Sequence, residues 1–174
     1  MRRDSASSRA TVADLESLVR ERILLLDGAM GTLIQGLGLT EADYRGERFA
    51  DHPKELFGNH DVLCLTRPDV IEGLHRRYLQ AGADIIETNT FSSTYIGQSE
   101  YDLSDIIEEL NRAAATVARR AVDAATREDG RPRFVCGILG PTNRTASISP
   151  RVEDPAYRDL TLALTLSLGY GSGA

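Results

Sequence analysis

Three short apolar runs, each ending in glycine or polar residues, restrict the fold of this sequence more than any other feature. The runs are Ile23 to Leu26, Asp84 to Thr88 and Phe134 to Leu139, followed by Asp27-Gly28, Asn89-Thr90 and Gly140-Pro141. The first run has no alternation of apolar and polar residues, which is typical of a strand buried on both faces of a parallel sheet. Helical segments separate the runs, so the order predicts βαβ units.

Two helices are expected between these strands. Pro68 suits a first helical turn, and helical spacing continues from Val70 to Leu79 until Gly82 ends the segment. The second helix covers roughly 103–126, with exposed glutamates at 108 and 109. Its predicted inner face is formed by Leu103, Ile106, Ile107, Leu110, Ala114, Val117, Ala118 and Ala121.

The remaining segments are a short helix and a long connection. Thr11 and Asp14 have the spacing of a capping box, which predicts a helix after Thr11. Residues 36 to about 67 have no sustained periodicity, and connections of this length are usually functional loops or linkers.

Composition excludes several classes of protein. The 20 basic and 26 acidic residues give a net charge of −6, which argues against binding nucleic acid or an anionic membrane surface. No apolar run approaches the ~20 residues of a membrane-spanning helix, and no hydrophobic segment follows the N-terminal arginines as in a secretory signal. The two cysteines are too few for a disulfide framework, so we expect free thiols and a cytoplasmic location.

Polar and small residues at the strand ends form the candidate site. The carboxyl ends of parallel strands carry the site in α/β folds, so Asp27 and Glu87 are expected side by side on neighbouring strands. Two carboxylates beside glycine-rich backbone would suit a zwitterionic amino acid. In the alternative interpretation, Asp27 and Asn89 only terminate strands and bond local turns.

Other motifs are weak. Nucleotide-binding glycine motifs are absent from the sequence. The histidines at 52, 60 and 75 lack metal-ligand spacing, and each is expected in a loop or on the surface. Cys136 is expected to be a small buried apolar residue within its strand.

The three strand-end motifs resemble the homocysteine-binding domain of cobalamin-dependent methionine synthase. The matching stretches are 22–32, 82–91 and 137–150, with 57–61 and 66–68 in the connection, and the similarity runs from about Leu15 to Thr161. Related betaine- and S-methylmethionine-dependent enzymes share the Asp-Gly and Glu-Thr-Asn-Thr-Phe motifs. The run Gly-Pro-Thr-Asn-Arg-Thr-Ala-Ser-Ile-Ser at 140–149 indicates the cobalamin branch.

This resemblance implies an α/β fold, the first three βα units of a (β/α)8 TIM barrel that binds L-homocysteine at its rim. Zinc would activate the homocysteine sulfur, methylcobalamin on a separate domain would donate the methyl group, and 5-methyltetrahydrofolate on another domain would remethylate the cobalamin. The products would be L-methionine and tetrahydrofolate. The resemblance implies that Asp27 and Glu87 bind the ammonium group of homocysteine. The backbone at Gly28, Ala29, Met30 and Gly31 would bind its carboxylate. Asn89 and Thr90 would shape the pocket.

The sequence also departs from this family. The family's three zinc-binding cysteines lie on later strands, and Cys64 and Cys136 do not match them. The sites for zinc and methylcobalamin are therefore expected outside this chain, and no catalytic or metal-binding residue is assigned within it. The expected division is an N-terminal extension with a short helix (1–21), a partial homocysteine-binding domain (22–159) and a low-complexity tail (160–174), either native or frame-shifted.

Three functional hypotheses follow. The chain is an N-terminal part of a methionine synthase that is inactive alone, a non-catalytic homocysteine-binding module, or a non-functional truncated product. Three strands of a barrel would leave apolar surface and an unpaired strand edge, which predicts aggregation or pairing with a complementary fragment.

Overall fold

Helices and a small parallel sheet alternate along the chain. The computed structural model describes residues 9–142, 144 and 151–157. The helices are α1 (Val12–Glu21), α2 (Met30–Gln35), α3 (Glu41–Arg45), α4 (Leu63–Thr66), α5 (Pro68–Ala81), α6 (Tyr95–Ser99) and α7 (Ile107–Asp129). Short 3₁₀ turns cover His60–Val62 and Ser104–Ile106, and the strands are β1 (Ile85–Glu87) and β2 (Phe134–Cys136). The tail predicted at 160–174, Asn143 and residues 145–150 lie outside the described residues.

The sheet has the predicted parallel order. Strand β1 pairs with β2 in parallel, with Ile86 opposite Val135. The predicted first strand joins the other side of β1 through a single parallel bridge from Leu26 to Ile85. The Asp27 N–H donates to the Ile85 carbonyl at 3.1 Å. Three extended segments therefore lie in the order predicted for consecutive βα units.

The predicted burial of the first strand is wrong in this structure. Ile23 is 85% exposed and Leu26 is 53% exposed. Among the described residues, only β1 pairs with this segment, so its other edge and part of its surface face solvent. Its apolar composition is typical of a segment that is covered on both faces.

A buried carboxylate fixes the first segment to β1. The Asp84 side chain is 2% exposed and accepts two hydrogen bonds from the Arg22 guanidinium, at 2.8 and 2.6 Å. It also accepts the Leu25 N–H at 3.0 Å. Arg22 holds the pKa of Asp84 below its usual value, because ion pairing and hydrogen bonding favour the charged form.

The two long helices agree with the sequence predictions. Helix α5 begins at Pro68 and ends before Gly82, which adopts a left-handed conformation with φ 109°. Helix α7 runs three residues beyond the predicted end and stops at Gly130, also left-handed. The residues expected on the inner face of α7 are buried at 103, 110, 114, 117, 118 and 121 and half-buried at 106 and 107.

The long connection from 36 to 67 is folded rather than loose. The Glu41 carboxylate accepts backbone N–H groups from Leu56 and Phe57, at distances of 3.0 and 2.6 Å. Arg45 donates to the carbonyls of His52 and Lys54 at 2.6 and 2.8 Å. Apolar residues of this connection pack with α5 and α7 in the larger of two core clusters. The connection therefore holds a defined position beside the strand ends.

Two predictions for single residues are wrong. His75 is fully buried, because it lies four residues from both Ile71 and Leu79 on the inner face of α5. Burial lowers the pKa of His75 to about 4, so the ring is neutral. Cys136 is exposed, because its strand has a pairing partner on one side only among the described residues.

Within the described part of the chain, none of the helices has the length and apolar character needed to cross a membrane.

Candidate functional site

A cavity of about 400 Å³ lies at the carboxyl ends of the three extended segments. It is lined by Asp27, Gly28, Ala29, Met30, Gly31, Gly58, Asn59, His60, Asp61, Glu87, Thr88, Asn89, Phe91, Ser92, Tyr101 and Ile138. Seven of the eight predicted site residues are in this set; the eighth, Thr90, lies outside it. The structure thus brings the first two strand-end motifs together around one space.

Two larger clefts, of about 560 and 610 Å³, lie along α7 and are lined in part by arginines, several of which pair with carboxylates. They are more open to solvent than the strand-end cavity and contain none of the strand-end motifs. We therefore assign the candidate site to the cavity at the strand ends.

The turn after the first extended segment forms one wall of the cavity. Ala29 has a left-handed conformation with φ 53°, which turns the chain sharply into α2. The Tyr78 hydroxyl of α5 donates to the Gly28 carbonyl and fixes this turn. The first backbone hydrogen bond of α2 runs from Leu33 N to the Ala29 carbonyl at 3.0 Å. The N–H groups of Met30 and Gly31 therefore precede the helical hydrogen-bond series.

Asp27 and Glu87 lie side by side, as their positions at neighbouring strand ends predict. The Asp27 Oδ1 atom accepts the Glu87 N–H at 2.8 Å. Burial and, to a smaller extent, the nearby charge of Glu87 raise the pKa of Asp27 to about 6, against the effect of that hydrogen bond. A cation placed between the two carboxylates would relieve both their desolvation and their repulsion.

Asn89 and Thr90 connect the walls around the cavity through side-chain hydrogen bonds. The Asn89 side chain is buried and donates to the His60 carbonyl at 2.8 Å. The Thr90 hydroxyl lies behind the cavity wall and donates to the Ile138 carbonyl at 2.8 Å. These bonds hold the connection and the segment after β2 against the end of β1.

Sequence reasoning did not single out the wall opposite Asp27. His60, Asp61 and Tyr101 line the cavity from the connection and from the segment after α6. Asp61 is 3% exposed, and its Oδ2 atom accepts the Ser92 N–H and the Ser93 hydroxyl, both at 2.7 Å. Burial raises the pKa of Asp61 to about 6. Two signals were available, the length of the connection and the resemblance of residues 57–61 to the family, but neither assigns a role to a single residue.

The lining residues carry acidic charge only. Asp27, Asp61 and Glu87 contribute carboxylates, and no Arg or Lys is among the described residues that line the cavity. An ammonium group would therefore be favoured here by charge, whereas a carboxylate would depend on neutral hydrogen-bond donors.

The described residues do not fit the zinc ion that the family resemblance implies. No group of three His, Cys, Asp or Glu side chains is arranged to hold a metal ion in this part of the chain. Burial raises the pKa of the Cys64 thiol to about 12, which disfavours the thiolate that binds zinc. Cys136 is exposed on β2 and is not among the residues that line the cavity.

Comparison with known proteins adds a family and a fold. The profile of a family described as homocysteine S-methyltransferase matches residues 24–165. The structure resembles the oxidized form of the homocysteine methyltransferase MmuM from Escherichia coli, with a TM-score of 0.58 and 27% identity over 73% of this chain and 40% of that one. For the metallated form the TM-score is 0.57 and the identity 25%, over 73% and 41% of the two chains. This chain thus spans about 40% of the length of the MmuM chain.

Proposed function

The chain belongs to the homocysteine S-methyltransferase family, and we propose that it supplies part of the homocysteine site of a cobalamin-dependent methionine synthase. Residues 22–159 would form the first three βα units of its (β/α)8 barrel. The complete cytoplasmic enzyme would transfer a methyl group from 5-methyltetrahydrofolate, through methylcobalamin, to L-homocysteine. Cobalamin- and folate-binding domains would be its partners.

The pair formed by Asp27 and Glu87 is the observation that carries this proposal. The two carboxyl groups share a half-buried position in a cavity with no lining Arg or Lys among the described residues. Such a pair suits the ammonium group of an amino acid, since charge-assisted hydrogen bonds are roughly twice as strong as neutral ones.

The substrate carboxylate would meet the turn from Gly28 to Gly31. Backbone N–H groups at Met30 and Gly31 precede the first hydrogen bond of α2 and remain available for an anionic group. Asn89 and Thr90 would keep the two walls at the correct separation through their bonds to the His60 and Ile138 carbonyls.

The residues of this chain would bind and orient homocysteine, and its sulfur would be activated elsewhere in the complete enzyme. The described residues do not fit zinc, and the chain spans about 40% of the length of MmuM, whose metallated form has been solved. We therefore expect the isolated chain to bind homocysteine without turning it over. Binding without catalysis is also what the alternative, a non-catalytic homocysteine-binding module, requires.

Calorimetric titration of the chain with L-homocysteine under reducing conditions tests the proposal. Asp27→Asn should weaken binding by about tenfold or more, since hydrogen bonds to charged groups contribute ~1.5–3 kcal/mol. Asp51→Asn, which changes an exposed carboxylate away from the cavity, is the matched control and should bind like the wild type. A wild-type chain that does not bind homocysteine would contradict the proposal.

A further inference from the structure

His60 presents a neutral hydrogen-bond donor to the cavity. It lies in the 3₁₀ turn His60–Val62, and its ring lines the cavity while its Nδ1 atom lies 2.8 Å from the Tyr44 hydroxyl. Tyr44 is 2% exposed and does not line the cavity. The ring therefore turns its Nδ1 edge towards the core and its Nε2 edge towards the cavity.

The hydrogen-bond network assigns the tautomer of His60. Burial raises the pKa of Tyr44, so its hydroxyl keeps its proton. The Tyr44 O–H then has the His60 Nδ1 atom as its acceptor. An Nδ1 atom that accepts leaves the proton of the neutral ring on Nε2. Burial lowers the pKa of His60, so the ring is neutral at pH 7.

The Nε2 edge lies beside the turn that begins α2. The Cδ2 atom of His60, which is bonded to Nε2, is 3.6 Å from the position that a Cβ atom on Gly31 would occupy. No described residue forms a hydrogen bond with Nε2. Among the described residues, this donor has no partner, and no Arg or Lys lines the cavity. Asp61 lies on the same wall, but its Oδ2 atom already accepts the Ser92 N–H and the Ser93 hydroxyl.

We propose that His60 binds the carboxylate of the amino-acid substrate through its Nε2–H and so positions it beside Gly31. This inference rests on the proposed homocysteine site and adds a residue that the strand-end motifs do not contain. In this arrangement the ammonium group lies at the Asp27 wall and the carboxylate at the His60 wall. The cavity would then select ligands that carry both groups over amines that lack the carboxylate.

Two ligands and two variants test this assignment. L-homocysteine and 3-aminopropane-1-thiol share the amine and the thiol, but only homocysteine has the carboxylate. His60→Leu removes the donor, and His60→Gln keeps an N–H at a similar reach. Binding of both ligands to the wild-type chain and to each variant is measured by calorimetric titration.

His60→Leu should weaken homocysteine binding by about tenfold or more and leave 3-aminopropane-1-thiol within about twofold of the wild type. His60→Gln should recover most of the loss. Unchanged binding of the amine also shows that the Leu variant is folded. If the Leu variant weakens both ligands equally, or neither, the assignment of His60 is wrong while the homocysteine site stands. If the wild-type chain does not bind homocysteine, the proposed function and this inference are both wrong.

Discussion

Asp27 is held between the end of its strand and the cavity. One carboxylate oxygen accepts the Glu87 N–H. This side-chain hydrogen bond holds the first segment to β1 beyond the backbone bridge between Leu26 and Ile85. The same group is half-buried beside Glu87, and this position disfavours its ionised form. A group that binds a ligand through a desolvated charge is expected to reduce the stability of the free protein.

The stability of Asp27→Asn should therefore depend on pH. The pKa of Asp27 is raised from 3.8 to about 6 in the folded chain, so the fold loses stability as the pH rises from 3.8 to about 6, and the full loss is present at pH 7. At pH 4 the folded-state carboxyl is already protonated and most of this difference is gone. Asn is uncharged throughout and keeps the oxygen that accepts the Glu87 N–H. We expect a higher Tm than the wild type at pH 7 and a similar Tm at pH 4.

Thermal unfolding followed by circular dichroism at the two pH values measures this difference. Asp51→Asn, at an exposed position, controls for the change in net charge. A lower Tm for Asp27→Asn at pH 7, or the same increase at both pH values, would show that burial of the charge does not destabilise this chain.

Helices α5 and α7 were predictable from the sequence because their determinants are local. Pro68 and Gly82 set the limits of α5, and the apolar spacing of α7 identifies its buried face. Helix α3 has the same local signal as α1, because Thr40 and Asp43 form a capping box as Thr11 and Asp14 do. Its packing was not predictable, since the Glu41 carboxylate binds the N–H groups of Leu56 and Phe57, which are 15 and 16 residues away.

The same distinction applies to the site. Asp27 and Glu87 were expected together because both end strands of one parallel sheet. His60 and Asp61 were not, since their places depend on the folded connection and on bonds to Asn89 and Ser92. The polar chemistry of His75 predicts an exposed position. Its spacing from Ile71 and Leu79 instead places it on the buried face of α5.

Helix α6 should tolerate no side chain at Gly97. A Cβ atom there would clash with the Ser92 carbonyl oxygen, and Ser92 lines the cavity. Gly97→Ala should therefore lower the free energy of unfolding by about 1–3 kcal/mol. Gly73 is an exposed position inside α5 with nothing within 4 Å of its Cβ site, so Gly73→Ala should raise stability by roughly 0.5–1 kcal/mol.

Urea denaturation of both variants provides the comparison. Both substitutions add one methyl group to a helical glycine. Changes of opposite sign in the free energy of unfolding would therefore be due to the close backbone contact at Gly97. Equal effects of the two substitutions would mean that α6 moves freely away from Ser92.

At the scale of the whole molecule, the first extended segment leaves much apolar surface exposed. Ile23 is 85% exposed and Leu25 is 55% exposed. Parallel sheets are almost always covered on both faces, and an uncovered edge favours association with another chain. The chain should therefore self-associate when no other polypeptide covers this surface.

Sedimentation velocity over a range of concentrations measures this association. The wild-type chain should show an average mass that rises with concentration above 19.0 kDa. The double variant Ile23→Lys, Leu25→Lys should remain closer to the monomer, since charges on an exposed edge oppose pairing. Val152→Lys, at a position that is 95% exposed outside the sheet, should behave like the wild type. A wild-type chain that stays monomeric throughout would contradict this prediction.

The acidic lining of the cavity also has a consequence for competition inside a cell. Phosphate esters, nucleotides and dicarboxylic acids are abundant metabolites, and each would bring further negative charge to Asp27, Asp61 and Glu87. With no lining Arg or Lys among the described residues to offset that charge, repulsion disfavours the binding of these molecules. Neutral and cationic amino compounds are therefore the metabolites that this cavity favours by charge.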